Sequence, residues 1–197
     1  FADDQYQLLD FGDGRRLERF GEVTLDRPCP VAEGVPRHIP STWPRADARF
    51  ERTDAEQGQW TCRRPLPERW TIAAGSLRLE LKRTVFGHIG VFPEQAENWE
   101  WIAREVDRLR QASGEAESEE ARRPRVLNLF AYTGGSTLAA AAAGAEVVHV
   151  DAARNIVAWA RRNAELSGLA HAPIRWIAED AWKFVSESFV AAIGTTP

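Results

Sequence analysis

A chain of 197 residues, 44% hydrophobic and 27% charged, can fill one ordinary core or two small ones, and that balance excludes a disordered or fibrous protein. Its net charge of −4 excludes a nucleic-acid binder held by a large overall excess of Lys and Arg, while leaving room for a local basic face. Two cysteines, Cys29 and Cys62, are too few for a disulfide framework or a four-ligand zinc site, so no metal is expected.

Tyr6 to Phe11 reads as a strand, Gly12-Asp13-Gly14 as a tight turn and Leu17 to Leu25 as a returning extended run, together a hairpin. Pro28, Pro30, Pro36, Pro40 and Pro44 follow in a passage that neither helix nor central strand tolerates, which predicts loop. Leu77, Leu79 and Leu81 alternate with Arg78, Glu80 and Lys82, a period of two that puts leucines on a core face and charges in water. Residues 1–92 are therefore expected to form a small, mainly-β domain. From Glu94 the period changes. Trp99, Ile102, Val106 and Leu109 fall on one helical stripe, with Arg104, Glu105, Asp107 and Arg108 facing water, so a helix should run to about Gln111. Ser113 to Pro124 reads as an exposed linker, which makes 93–124 a helix followed by an acidic connection.

The texture then becomes α/β. Arg125 to Phe130 is a short apolar strand, and Ala131 to Gly135 a turn with paired glycines. Thr137 to Ala143 is an alanine-rich helix ended by Gly144, and Glu146 to Val150 a second strand closed by Asp151. Ala153 to Ser167 is a helix carrying Ile156, Trp159 and Asn163 near one face and stopped by Gly168. Ile174 to Ala178 is a third strand, followed by Glu179-Asp180 and a short helix from Ala181. Strands and helices alternating over short connections argue for parallel pairing with right-handed crossovers. No run of about 18 apolar residues occurs, and the N-terminus lacks a signal-peptide pattern, so a cytoplasmic protein without a membrane partner is expected.

In an open parallel sheet, ligands bind beyond the carboxyl ends of the strands. The first strand ends in the run Asn128 to Ser136, whose glycines let a ligand approach the backbone without meeting a β-carbon. Asp151 follows at roughly the 20-residue offset at which an acid meets ribose hydroxyls in nucleotide-binding βαβ units. Asp180, just past the third strand, could accept a hydrogen bond from an exocyclic amine such as that of adenine. Taken singly, Gly134-Gly135 is an ordinary loop and Asp151 a helix cap ahead of Ala153; together they give one ligand a backbone cradle, a ribose clamp and a base contact. The dinucleotide pattern G-x-G-x-x-G and the phosphate loop G-x-x-x-x-G-K-[ST] are both missing. A cofactor with adenosine but no phosphates fits better than a nicotinamide dinucleotide, which leaves an NAD-dependent oxidoreductase as the weaker enzyme reading.

The stretches Phe86 to Trp99 (FGHIGVFPEQAENW), Val126 to Ala145 (VLNLFAYTGGSTLAAAAAGA), Val147 to Leu169 and Ile177 to Val185 resemble class I S-adenosylmethionine (SAM) dependent methyltransferases, and within them the group related to bacterial 23S rRNA cytosine-5 methyltransferases. The resemblance implies a Rossmann-like sheet over residues 125–197, of which the first three strands are present. It implies SAM as cofactor and RNA, specifically an rRNA base, as substrate. It places Asn128, Phe130, Tyr132, Thr133, Gly134 and Gly135 in the loop around the amino-acid end of SAM, Asp151 on both ribose hydroxyls and Asp180 at the adenine amine. Gly90 to Gln95 would lie across the cofactor, with Gln95 as its polar contact. Phe92 and Trp99 read more simply as packing residues, and His88 as structural.

The same family places a fourth strand after the position of Asp180, ending in an Asp-Pro-Pro or Asn-Pro-Pro motif, with a cysteine nucleophile farther on. Neither follows here, and Ser186 to Pro197 no longer resembles the family. Met is absent, even at position 1. The chain therefore reads as a piece of a longer protein, truncated or frame-shifted near Ser186. No catalytic residue and no oligomeric state are assigned, and a SAM-binding fragment without activity of its own is the competing reading.

Overall fold

The computed structural model describes residues 1–55, 57–112 and 123–193, with side chains as far as Glu187. Most of the expected linker, 113–122, lies outside the described residues. The chain divides into two compact units, Phe1–Pro93 and Glu94–Pro197.

Among the described residues, seven strands build the first unit. β1 (Tyr6–Gly12), β2 (Arg15–Phe20), β3 (Val23–Pro28), β4 (Ala48–Arg52) and β5 (Gly58–Cys62) form one sheet in that order, and β6 (Arg69–Ala74) with β7 (Leu77–Lys82) forms a separate hairpin. Pairing is antiparallel except between β3 and β4, which run parallel over Leu25 and Asp26. The run Leu17 to Leu25 is two strands rather than one, because Gly21 takes φ 60° and reverses the chain. The alternating segment differs from expectation at one charge. Leu77, Leu79 and Leu81 are buried as the period requires, and so is Glu80, at 7% exposure. Its carboxylate accepts a hydrogen bond from Arg69 Nη1 at 2.7 Å across the hairpin, which makes burial of that charge tolerable.

The proline passage is not plain loop. Pro30–Ala32 and Pro40–Arg45 are short 3-10 turns, each beginning where a proline's fixed φ suits a first helical position. Asp10 holds the second of them. Its buried carboxylate accepts hydrogen bonds from the backbone N–H of Phe11, His38 and Ile39 and from Trp43 Nε1, between 2.8 and 3.1 Å. Burial alone would raise its pKa; the donors from Trp43, Ile39, His38 and Phe11 outweigh burial and hold it below the ordinary carboxylate value. The stability supplied by Asp10 is therefore complete above the unfolded-state pKa near 4 and is lost as pH falls through the lower folded value. Asp10→Asn is expected to cost about 2 kcal/mol at pH 7, since the amide cannot accept from all four donors. In urea titrations from pH 7 to pH 3 the gap from wild type should narrow toward the acid end; a gap independent of pH would show that the charge plays no part.

A 3-10 turn at Pro93–Gln95, begun on the last residue of the first unit, leads into α1 (Ala96–Ala112) of the second. Then come β8 (Arg125–Leu129), α2 (Gly135–Ala142), β9 (Glu146–Asp151), α3 (Arg154–Leu166), β10 (Ile174–Ala178) and α4 (Ala181–Ile193). The three strands pair in parallel in the order β10-β9-β8. The parallel α/β arrangement expected from the alternating pattern is present, following a mainly-β first unit in the sequence. Val106 of α1 packs with Ala140, Ala141, Ala145 and Val147, so the small side chains of α2 let α1 and β9 share one core. Trp99 is buried with Val106, but Leu109, assigned to the same stripe, is 44% exposed. Phe130, read as the end of the first strand, lies outside it. On α3 the buried face is Val157, Trp159, Ala160, Asn163 and Ala164, with Ile156 half-buried at its margin. Gly144 and Gly168 both take positive φ just past their helices, as C′ glycines do. No helix among the described residues is long and apolar enough to cross a membrane.

Candidate functional site

The carboxyl ends of β8, β9 and β10 carry the loops of interest. Between β8 and α2, three residues take left-handed backbone conformations at alternate positions: Phe130 at φ 54°, Tyr132 at 50° and Gly134 at 93°. For Phe130 and Tyr132 this conformation costs on the order of 1–2 kcal/mol each, so the surroundings must hold the loop. They do so through its backbone. Ala131 N–H donates to Val150 O at 3.0 Å, Gly134 N–H to Ala131 O at 3.0 Å, and Asn163 Nδ2 to Thr133 O at 2.9 Å. Tyr132 N–H donates to Asp151 Oδ2 at 2.9 Å.

Glycine is required at the two following positions for different reasons. Gly134 is the left-handed N-cap of α2, where a β-carbon would also come within 3.1 Å of the Ala160 methyl. Gly135, the first residue of α2, takes an ordinary helical conformation, but a β-carbon there would sit 2.4 Å from Cζ2 of Trp99. The helix thus begins two residues earlier than Thr137, because this glycine serves packing against α1 and not a turn. Gly135→Ala is expected to cost about 1–3 kcal/mol, the scale of overpacking. Unchanged stability in urea denaturation would show that the Trp99 ring yields freely.

Beneath the loop runs a polar chain. Asn128 Nδ2 donates to Thr137 Oγ1 at 2.8 Å, and Thr137 Oγ1 lies 2.9 Å from His149 Nδ1. With Asn128 donating to the hydroxyl, the hydroxyl is free to donate onward to the imidazole. His149 is fully buried and its ring packs against Trp176 at 4.7 Å between centroids. Burial holds its pKa at about 4, with Asp151 opposing and Arg161 reinforcing the shift, so the ring is neutral at physiological pH. Thr137, His149 and Asn163 brace the loop and were not among the residues picked out as candidates. The available signal was a polar side chain at positions where the surrounding pattern is apolar.

Asp151 is half-buried at the end of β9. Its second oxygen, Oδ1, accepts from Ala153 N–H at 3.0 Å, ahead of the first turn of α3. The carboxylate therefore ties the β8–α2 loop to the residue that leads into α3; it is not the helix cap, since the N-cap of α3 is Ala153 and carries no side-chain cap. Glu179 N–H donates to Asp151 O at 3.0 Å, which brings the end of β10 beside it. Asp180 is exposed there, and its Oδ1 accepts from Lys183 N–H at 2.9 Å as the cap of α4. Asn128 through Gly135, Asp151 and Asp180 thus converge on one edge of the sheet. Gln95 lies on the turn before α1, exposed, with Oε1 accepting from Asn98 Nδ2 at 2.8 Å; Trp99, one turn on, is the residue that reaches Gly135.

The arrangement offers a strained, backbone-lined loop and two carboxylates. An ionised carboxylate has about four acceptor sites, and Asp151 uses two on backbone N–H groups, so each oxygen keeps capacity for a hydroxyl. This suits a ligand with a diol and an exocyclic amine. Among the described residues no group of three or more His, Cys, Asp or Glu is placed to hold a metal ion. Cys29 is half-buried and Cys62 exposed, both in the first unit.

Comparison with known proteins gives this edge a context. A family model described as S-adenosylmethionine-dependent methyltransferase matches residues 47–188. The structure of a SAM-dependent methyltransferase from Agrobacterium tumefaciens aligns over 93% of this chain at 40% identity and a TM-score of 0.81, and this chain covers 55% of it. Among curated proteins, "Ribosomal RNA large subunit methyltransferase I" of Aeromonas hydrophila is 45% identical over 64 residues, 32% of this chain and 16% of that protein. "Ribosomal RNA large subunit methyltransferase K/L" of Magnetococcus marinus is 31% identical over 126 residues, 64% of this chain and 14% of that protein. The chain thus spans about half of the structural relative and a small part of these curated ones.

Proposed function

The chain belongs to the S-adenosylmethionine-dependent methyltransferase family, and from that premise we propose that the protein it represents is a cytoplasmic methyltransferase whose substrate is RNA, an rRNA base of the cytosine-5 class, with a part in rRNA processing. The names of the Aeromonas and Magnetococcus relatives support the RNA assignment, and the run Asn128 to Gly135 supports the narrower group. Residues 1–92 would form a domain that presents the substrate, 93–124 a helix and connection, and 125–197 the cofactor-binding domain.

One observation carries the site: Asp151 is held at the centre of the sheet edge by Tyr132 N–H on one oxygen and Ala153 N–H on the other. We assign its remaining acceptor capacity to the ribose hydroxyls of SAM, Asp180 to the adenine amine, and Asn128, Phe130, Tyr132, Thr133, Gly134 and Gly135 to the cradle of the amino-acid end. Gln95 closes over the cofactor from the turn before α1. The cofactor supplies a methyl group on a sulfonium, and transfer needs chiefly in-line positioning of the acceptor atom.

Calorimetric titration of the 197-residue chain with SAM, with NAD as control ligand, tests the reading. Saturable binding of SAM and none of NAD is the expected result. A folded chain that binds neither would remove the site assignments.

A further inference from the structure

The first unit has a pocket that the methyl-transfer reading does not use. It is a cavity of about 470 Å³ lined by Asp26 of β3, Arg37, Pro40 and Trp43 of the proline passage, and Arg49 and Arg63 at the β4–β5 side, among others. Arg37 sits over the Trp43 ring, its guanidinium carbon 4.0 Å from the centroid. Arg49 and Arg63 are about half exposed. Three of the lining residues carry guanidinium groups and one, Asp26, a carboxylate, which pairs with Arg15 at 2.6 Å.

The arginines have donors to spare. Arg37 contacts Asp13 through Nε at 3.1 Å. Arg49 uses Nε on Glu51 at 3.0 Å and Nη1 on Asp26 at 3.6 Å. Arg63 uses Nε and Nη2 on Ala46 O, Arg45 O and Asp47. A guanidinium has five N–H donors in a planar fork suited to phosphate, so each keeps donors for an anion. Pro40 and Trp43 add apolar lining to the same cavity, and its volume falls in the range of small-ligand sites. Guanidinium forks beside a flat, stackable surface are the chemistry that holds an unpaired nucleotide of a single strand.

We propose that this pocket of the first unit seats one nucleotide of single-stranded RNA, with Arg49 and Arg63 on its phosphate and the base stacked on the outer face of Arg37. The proposal rests on the reading of RNA as the substrate and deepens it, giving the first unit a contact with the strand apart from the cofactor edge of the second.

The structure supplies a clean pair of substitutions. Asp26 retains Arg15 when Arg49 is changed, and Asp47 retains Arg64 at 2.7 Å when Arg63 is changed, so Arg49→Gln with Arg63→Gln leaves no buried carboxylate unpaired. The test measures binding of a fluorescent single-stranded RNA oligonucleotide to the 197-residue chain and to this double variant over a salt series, with SAM titration alongside. Expected is on the order of a 10-fold loss of RNA affinity in the variant, a salt slope smaller by about 0.7 for the one phosphate no longer neutralised, and unchanged SAM affinity. Equal RNA affinity and slope in the two proteins, or no RNA binding by the wild type, overturns the proposal. So would cytidine monophosphate binding as tightly as the oligonucleotide, which would mark a free-nucleotide site. SAM binding without RNA binding overturns this inference alone, whereas RNA binding lost in the variant without any SAM binding leaves it standing and removes the cofactor assignments.

Discussion

Replacing Arg27 with Met is expected to lower the unfolding free energy by about 3–5 kcal/mol, the cost of leaving a buried charge without its partner. The charge left behind is Glu18, fully buried in β2, whose Oε2 takes Nε of Arg27 at 3.0 Å and Nη2 at 2.5 Å. Arg27 is itself 4% exposed, sits over the Phe20 ring and donates through Nη1 to Gly87 O at 3.3 Å. Met would fill the space of the stem but supply none of these donors. Two groups remain on Glu18: Tyr6 hydroxyl at 3.2 Å and Arg16 Nε at 3.1 Å. Burial, then the Glu18 carboxylate, pushes the Tyr6 hydroxyl well above its ordinary pKa, so it stays a donor throughout the working range. Urea denaturation of Arg27→Met, Glu18→Leu and the double variant separates the terms. The double variant should recover most of the loss, because removing both charges removes the desolvation problem. A single-variant loss under 1 kcal/mol would show that Arg16 and Tyr6 satisfy Glu18 by themselves.

The order of elements in the second unit was largely legible in the sequence, whereas the first unit was legible as mainly β but not strand by strand, for a physical reason. Short apolar strands separated by helices, as in Val126 to Ala178, carry their pattern in consecutive residues. β4, β5 and β6 instead carry arginines, a glutamate, threonines and single tryptophans in no clear period, and buried carboxylates such as Glu80 and Asp47 are met by Arg69 and Arg63 from elsewhere in the chain. A carboxylate that is inside because an arginine from another strand meets it breaks the period of two, as Glu80 does. At the candidate site, the convergence of Asn128 to Gly135 with Asp151 and Asp180 followed from their places at strand ends. The contact between Tyr132 N–H and Asp151 did not. It depends on left-handed φ at Phe130 and Tyr132, conformations that residue type disfavours and that only the bracing by Asn163 and the neighbouring strand sustains. Gly135 likewise reads as a turn residue, when its actual requirement is the Trp99 ring.

Asp151→Ala should weaken SAM binding on the order of 10- to 100-fold, about 1–3 kcal/mol, the scale of a lost hydrogen bond to a charged group. It should also lower stability by about 2–3 kcal/mol, because two backbone donors, Tyr132 N–H and Ala153 N–H, lose a charged acceptor at once. The two effects can be told apart. Asp151→Asn keeps one carbonyl oxygen for a backbone N–H but turns an N–H₂ group toward the other, so it should restore part of the stability. It should restore less of the affinity, since the diol then meets one acceptor where it had two. Calorimetry with SAM and urea denaturation on the same preparations give both numbers. If Asp151→Ala loses stability while its Kd for SAM matches wild type, the carboxylate serves only to join the β8–α2 loop to α3, and the ribose must be held elsewhere on that edge. If affinity falls further than stability predicts, the left-handed loop is explained as well: its strain is spent on presenting Asp151 with both oxygens half-satisfied and aimed outward.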